Sequence, residues 1–406
     1  MHFSAKIHIH KFRYRFRFSC IRSDFRRTTT GLTGLFLRVI MPIETNLTEE
    51  NKMQNIYRHF QLDGLPVSCT RYGNGHINQT YLLVTSRPHL YILQGLNTSV
   101  FPNIPGLMSN LIAVTNHLRR QTDDPRRALQ LVPTTDGQPY LACENGEYWR
   151  MYEFVLDSLC LEKAETADDL YQSGIAFGQF QNQLADFPAE TLTETIPHFH
   201  DTPDRYRLFH EAIQADRAGR LKDVRAEVEA YLSYEKDADA LMSLCRSGEL
   251  PLRVTHNDTK LNNVMLDAPT RTPLCVIDLD TVMPGLAAND FGDTIRFGAS
   301  TAAEDEEELS KVEMSLELFE AYASGFLSAC GSRLTPKEIQ TLPLGAKLMT
   351  LECGVRFLTD HLNGDVYFHI SRPALNLIRC RTQLKLVQDM EKKWDEMNAI
   401  IAKLTR

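Results

Sequence analysis

The most restrictive feature of this chain is a change of period. Helical spacing dominates after about residue 156, but residues 252–281 break it with two short apolar runs, Asn263–Leu266 and Leu274–Leu279, separated by a turn. A polar loop, Thr255-His256-Asn257-Asp258-Thr259-Lys260, leads into the first run, and Asp278 and Asp280 end the second. The expected arrangement is loop, strand, turn, strand and acid, set into a helical half. Helices are expected at 105–120, from Thr166 through Leu184, and at 204–218, 225–245, 304–329, 335–361 and 373–403. The N-terminal part reads differently. Val67–Tyr72, Thr80–Thr85, Leu90–Gln94 and Glu147–Val155 look like strands, with the turn-rich Gly73–Gln79 between the first two. The fold class is therefore α+β: a small β-rich N-terminal lobe, a strand-like connector and a large helical C-terminal lobe. The expected divisions are 1–40 as a basic extension, 41–152 as the first lobe and 153–406 as the second. Clefts between such lobes are common ligand sites.

Composition removes several classes. The chain has 44 Lys plus Arg against 52 Asp plus Glu, a formal charge of −8, which gives no support for a general nucleic-acid binder. No run of 18 apolar residues occurs, so a membrane span is not expected. The charge is uneven: residues 1–40 hold nine basic residues and one acid, Asp24. Two readings fit this head, a transit-type segment and an upstream extension before a start at Met41. Nine scattered cysteines, with no C-x-x-C, point to reduced thiols and a cytoplasmic location.

The chemistry lies in 252–281. His256-x-Asp258 is followed by Asn263, giving H-x-D-x-x-x-x-N, and then by Ile277-Asp278-Leu279-Asp280. Transfer of a phosphoryl group needs positioning, charge neutralisation and an oriented acceptor hydroxyl. Asp258 would accept or orient the hydroxyl proton. Asn263 would offer an amide oxygen, and Asp278 a carboxylate, to one Mg²⁺, which takes few protein ligands and keeps its waters. A hairpin brings the last two together. Asn and Asp also serve ordinary turns, but the spaced Asn and the acidic strand end are not explained that way. His256 is read as a brace for the loop.

Other signals are weaker. Gly73 and Gly75 let backbone N–H groups approach a phosphate, although a hairpin turn uses glycine equally well. His198 and His200 could form a metal pair or simply a surface turn. The acidic run Asp305–Glu308 fits the first turn of a helix. Trp149 reads as a core aromatic more readily than as a nucleotide contact. There is no G-x-x-x-x-G-K-[ST], which excludes a P-loop NTPase.

The paired motifs resemble the aminoglycoside phosphotransferase and choline kinase family, whose fold is similar to that of protein kinases. Within it, GNGHINQTYLLV, YILQGLNTSVFP, LTETIPHFHDTPDRY, LRVTHNDTKLNNVMLD, VIDLDTVMPGLAANDFGDTIRFGAS and ECGVRFLTDHLNGDVYF look like the kinases that phosphorylate the anomeric hydroxyl of N-acetylhexosamines. The resemblance covers about residues 50–400. It implies ATP and Mg²⁺ as cofactors and Asp258 as catalytic base. Asn263 and Asp278 are implied as metal ligands, and Gly73, Gly75, Asn78, Gln94, Glu153 and Val155 as nucleotide contacts. His76, Asp280, Arg356 and Tyr367 are implied around the sugar. Asp280 would either hold the sugar or support the metal, on the face of Asp278 if the strand continues. Gln94 stands where protein kinases carry a phosphate-binding lysine, so another donor must meet the phosphates.

Three further readings stay open at the sequence level. A kinase of the same fold could act on another small alcohol, such as an aminoglycoside or amino-alcohol. A non-catalytic nucleotide-binding scaffold needs a damaged loop, yet Asp258, Asn263 and Asp278 are all present. A metal-dependent hydrolase would use His198, His200 and Asp258. The expected partner is a small-molecule substrate.

Overall fold

The computed structural model describes residues 47–405 apart from Asn74 and His76. The basic head and the Met41 question lie outside the described residues, as does the side chain proposed at His76. Contacts divide the chain into two units, 1–58 and 59–406. The first is described only by helix α1 (Leu47–Tyr57). All that follows concerns the second.

Five antiparallel strands form its N-terminal sheet: β1 (Pro66–Arg71), β2 (Gln79–Thr85), β3 (Leu90–Gly95), β4 (Leu141–Ala142) and β5 (Tyr148–Glu153). Their order is β1-β2-β3-β5-β4. Strand residues alternate between faces. Leu83, Tyr91, Leu93, Trp149 and Met151 are buried on one side. The cross-strand rows Thr80–Gln94–Arg150 and Leu82–Ile92–Tyr152 lie on the other. Gly95 pairs with Trp149, and a Cβ at Gly95 would stand 2.9 Å from the indole ring. Glycine at 95 is thus a packing requirement, and Trp149 is a core residue. Helix α2 (Ile104–Arg119) follows β3, capped by the Asn103 side chain, with Leu107, Leu111, Val114 and Leu118 buried at helical spacing.

The helical region comprises α3 (Ala167–Gln183), α4 (Thr202–Ala215), α5 (Arg225–Ser233), α6 (Ala240–Arg246), α7 (Ala287–Gly298), α8 (Leu316–Cys330), α9 (Pro336–Asn363), α10 (Leu375–Lys392) and α11 (Trp394–Leu404). Thr335 begins α9 as expected, with a capping box to Glu338 and Pro336 at the first helical position. Helices α7 and α9 touch backbone to backbone where Gly292 meets Gly345 and Gly345 meets Ala288. The insert holds β6 (Ser158–Cys160), β8 (Val264–Asp267) and β9 (Pro273–Val276) in one sheet, and β7 (Arg253–Thr255) with β10 (Met283–Gly285) in another. The core under α2 and β5 runs on into Val254, Leu274, Cys275 and Leu279 of the insert and into Val282 just after it, so this segment rests on the N-terminal region. No helix among the described residues is long and apolar enough to cross a membrane.

Several boundaries differ from the sequence reading. The helix expected over 225–245 is two helices. The break at Tyr234–Asp237 is held from α9 by Lys347, 2.8 Å from Asp237 and 5.3 Å above the Tyr234 ring. The run 305–308 does not open a helix. Ser315 caps α8 instead, and the acids meet cations elsewhere: Asp305 and Glu307 lie 3.5 and 3.3 Å from Arg372 and Glu308 2.7 Å from Lys311. Those direct ion pairs outweigh a helix dipole. The second apolar run of the insert leaves the strand at Val276, because Asp278 adopts a left-handed conformation (φ 59°, ψ 57°) and turns the chain.

Candidate active site

The hairpin β8–β9 does what the spacing required. Val264 pairs with Val276, and the Ile277 N–H donates to the Asn263 carbonyl at 2.9 Å, so Asn263 stands beside Asp278. Asn263 Nδ2 donates to the Asp258 carbonyl at 2.8 Å and to its Oδ2 at 3.1 Å. Its amide oxygen is thereby directed away from Asp258. On the other side Lys260 Nζ lies 2.6 Å from Asp258 Oδ1. Desolvation works to raise the Asp258 carboxyl, but Lys260, then His256 and Asn263, outweigh it and hold it below the ordinary value. Asp258 is thus kept ionised and aimed. Lys260 was not singled out from sequence. Its signal was its place two residues beyond the aspartate.

The loop is held from behind. His256 is fully buried, with its ring edge-on to Phe177 and Phe180. Its Nε2 lies 2.8 Å from the Ile277 carbonyl, and its Nδ1 accepts the Asp258 N–H at 3.3 Å. That pair of roles makes Nε2 the donor and Nδ1 the acceptor. His256 therefore ties Asp258 to the segment bearing Asp278. Asp290 of α7 accepts the N–H groups of His256 (2.9 Å) and Asn257 (2.8 Å) and the Gln181 amide (2.8 Å). Two successive backbone donors of the loop are satisfied by this single buried carboxylate, which sequence reasoning missed.

Asp278 is exposed and makes no hydrogen bond or ion pair among the described residues. One side meets solvent, while protein crowds the rest. Desolvation, then the carboxylates of Asp280 and Asp258, push its carboxyl up to about 6. A partnerless carboxylate in acidic company, beside a free amide oxygen, is a donor set that fits a hard divalent cation. No group of three or more His, Cys, Asp or Glu among the described residues could hold a metal by itself. This is consistent with a cation completed by water and phosphate.

Asp280 does not share a face with Asp278, because the strand has ended. Its side chain turns inward and is 2% exposed. Oδ1 meets Arg150 at 2.5 Å and Oδ2 accepts from Asn78 at 2.5 Å. Asn78 also accepts the Asn97 N–H at 3.1 Å, pinning the base of the glycine loop. Gly73 has φ 73°, and open space surrounds the Cβ positions of Gly73 and Gly75. Gln94 accepts two N–H groups of Arg150, at 3.0 and 2.9 Å, and donates to Thr80 Oγ1 at 3.1 Å. In the connector, Glu153 lies 2.5 Å from His89, and the Val155 carbonyl accepts from the Ser158 hydroxyl at 2.7 Å.

The two histidines of His198-Phe199-His200 part company. His198 is exposed beside Asp201. His200 is buried between Glu352 (2.9 Å) and the Asn257 carbonyl (3.0 Å). They form no metal pair. Arg356 follows Glu352 by one turn of α9, and its guanidinium lies 5.2, 5.8 and 5.5 Å from the rings of Phe199, Tyr367 and Phe368. Asp360 accepts the N–H groups of Val366, Tyr367 and Phe368, fixing the loop that presents the exposed Tyr367. Arg205 lies close enough to Arg356 to repel it. Desolvation and then Arg356 hold Arg205 below the ordinary arginine value.

A profile described as the phosphotransferase enzyme family (APH) matches residues 68–323, well over half of the chain. The chain belongs to that family, and its fold is the protein-kinase-like one of a small sheet region and a larger helical region. Among solved structures, a microcompartment-associated aminopropanol kinase is similar over 87% of this chain and 99% of its own, at 16% identity and a TM-score of 0.53. Amicoumacin kinase, solved with AMP-PNP, Ca²⁺ and its antibiotic, is similar over 84% and 92%, at 15% identity and a TM-score of 0.56. Choline kinase from Cryptosporidium parvum is similar over 84% and 93%, at 13% identity and a TM-score of 0.51.

Proposed function

We propose that this protein transfers the γ-phosphoryl group of ATP to the anomeric hydroxyl of an N-acetylhexosamine, GlcNAc or GalNAc, giving the sugar 1-phosphate. The observation that carries the reading is the junction of Asp258, Asn263 and Asp278 at one hairpin end, with Lys260 on the far oxygen of Asp258. Asp258 orients the acceptor hydroxyl and takes its proton as the new O–P bond forms and the bond to the departing ADP breaks. An aspartate held ionised is a weak base, which suits a loose transition state where proton transfer is late. Asn263 and Asp278 would hold Mg²⁺, which supplies charge neutralisation to the phosphates. Arg356, Tyr367 and His76 are assigned to the sugar side.

Charge supports this choice of acceptor. Arg356 and Arg205 gather around Glu352, beside Tyr367. The two arginines disfavour a cationic aminoglycoside or amino-alcohol, the substrate type of the similar kinases, and suit the hydroxyls and acetamido oxygen of a neutral sugar. The test is purified protein with ATP·Mg²⁺ and a panel of free sugars, amino-alcohols and aminoglycosides, read by ³¹P NMR. An anomeric phosphate doublet with N-acetylhexosamines is expected. Turnover only on cationic acceptors would sink the sugar assignment.

A further inference from the structure

The nucleotide side of the cleft lacks both halves of the ion pair that kinases use there. The lysine of the third strand, which pairs the phosphates, is Gln94, and the helix that should offer its glutamate partner, α2, contains neither Asp nor Glu. A buried ion pair exists one strand away. Arg150 is the cross-strand partner of Gln94, stands on the same face of the sheet and is 1% exposed. All three guanidinium nitrogens are directed: Nε and one terminal nitrogen by the Gln94 amide oxygen, the other terminal nitrogen by Asp280. Asp280 is two residues beyond the metal-site Asp278, and Asn78 at the foot of the glycine loop holds its second oxygen. The chain Thr80–Gln94–Arg150–Asp280–Asn78 therefore joins β2, β3, β5, the metal segment and the glycine loop. Of the two basic side chains paired with acids of the site, Lys260 is taken by Asp258 on the acceptor side. Arg150 meets Asp280, whose other oxygen is held by Asn78 at the foot of the glycine loop, on the nucleotide side.

We infer that Arg150 is the phosphate-facing cation of this enzyme, moved from β3 to β5, with Gln94 and Asp280 as its positioning residues. This rests on the ATP-kinase reading above. Gln94 is then the oriented acceptor that fixes the arginine fork, and Asp280 takes the part of the missing glutamate on α2. A merely structural ion pair would make no distinction between nucleotides and nucleosides. A phosphate-facing cation must.

The experiment measures binding of ATP, ADP and adenosine by calorimetry to the full chain and to Arg150→Gln, Arg150→Lys and the swap Gln94→Lys/Arg150→Gln, which returns the charge to β3. Arg150→Gln is expected to weaken ATP and ADP at least about tenfold while adenosine stays within about twofold, as for loss of a charge-assisted contact to phosphate. The swap is expected to recover ATP affinity to within about tenfold of the parent, since a lysine reaches the same row as a point charge. Equal losses for all three ligands, unchanged ATP affinity in Arg150→Gln, or a folded swap that binds adenosine but not ATP would each overturn the inference. Should Arg150→Gln fail to fold, the swap and Arg150→Lys decide. ATP binding by either supports the inference, and failure of both to fold assigns Arg150 to architecture alone. A parent protein that binds no ATP would overturn the kinase reading itself, a different result from an insensitive Arg150.

Discussion

His200 and Glu352 form a buried pair, 2.9 Å apart, that joins α9 to the catalytic loop through the Asn257 carbonyl. Desolvation works to lower His200, but Glu352 outweighs it and holds the ring above its ordinary 6.5. Glu352, against its own desolvation, is held below its ordinary 4.5, chiefly by His200. The histidine's contribution is complete below 6.5 and is lost as pH rises through its raised value. That of Glu352 is complete above 4.5 and is lost as pH falls through its lowered value. Stability from the pair should therefore be greatest between these limits. Breaking it with His200→Gln should cost about 3–5 kcal/mol and flatten the alkaline decline in Tm. Parallel Tm profiles in the two proteins would remove the pair from the account.

Asp258→Asn keeps the shape of the loop and removes the proton acceptor. The kcat for sugar 1-phosphate formation should fall about 10²–10⁴-fold, with ATP binding little changed. Unaltered turnover would mean that Asp258 is not the base.

Replacing Asn263 by Ala or Asp278 by Asn should raise the Mg²⁺ concentration needed for half-maximal rate and lower kcat, because positioning and charge dominate this chemistry. The same variants should lose the rise in Tm that Mg²⁺·ATP gives the parent protein. A preserved Mg²⁺-dependent shift would argue for other ligands.

Arg356→Ala should raise KM for the sugar while leaving KM for ATP near its parent value. The arginine, proposed for the acceptor side, sits beyond His200 and Glu352 and among Phe199, Tyr367 and Phe368. An effect confined to ATP would place it wrongly.

Gly345→Ala puts a methyl group against the Ala288 carbonyl, where α9 crosses α7. Overpacking of this kind costs about 1–3 kcal/mol. Because α7 carries Asp290, which holds the His256 and Asn257 N–H groups, kcat should fall along with Tm. Loss of Tm with an intact kcat would show that the loop is held independently of this crossing.

Local chemistry was readable in one dimension. The period change at 252–281, the five-residue step from Asp258 to Asn263 and the acid at the end of the second run settle the hairpin and its contents, because a β-hairpin makes neighbours of residues near in sequence. The brace at His256 and the helix start at Thr335 were legible for the same reason. Tertiary structure decided whatever depended on distant partners. Asp280 turned from Asp278 because the chain takes a left-handed step there, and it found Arg150, 130 residues away. His200 left His198 for Glu352, and the run 305–308 left a helix start for Arg372 and Lys311. A buried charge goes to whichever opposite charge the fold brings within reach, and sequence order carries no record of that distance.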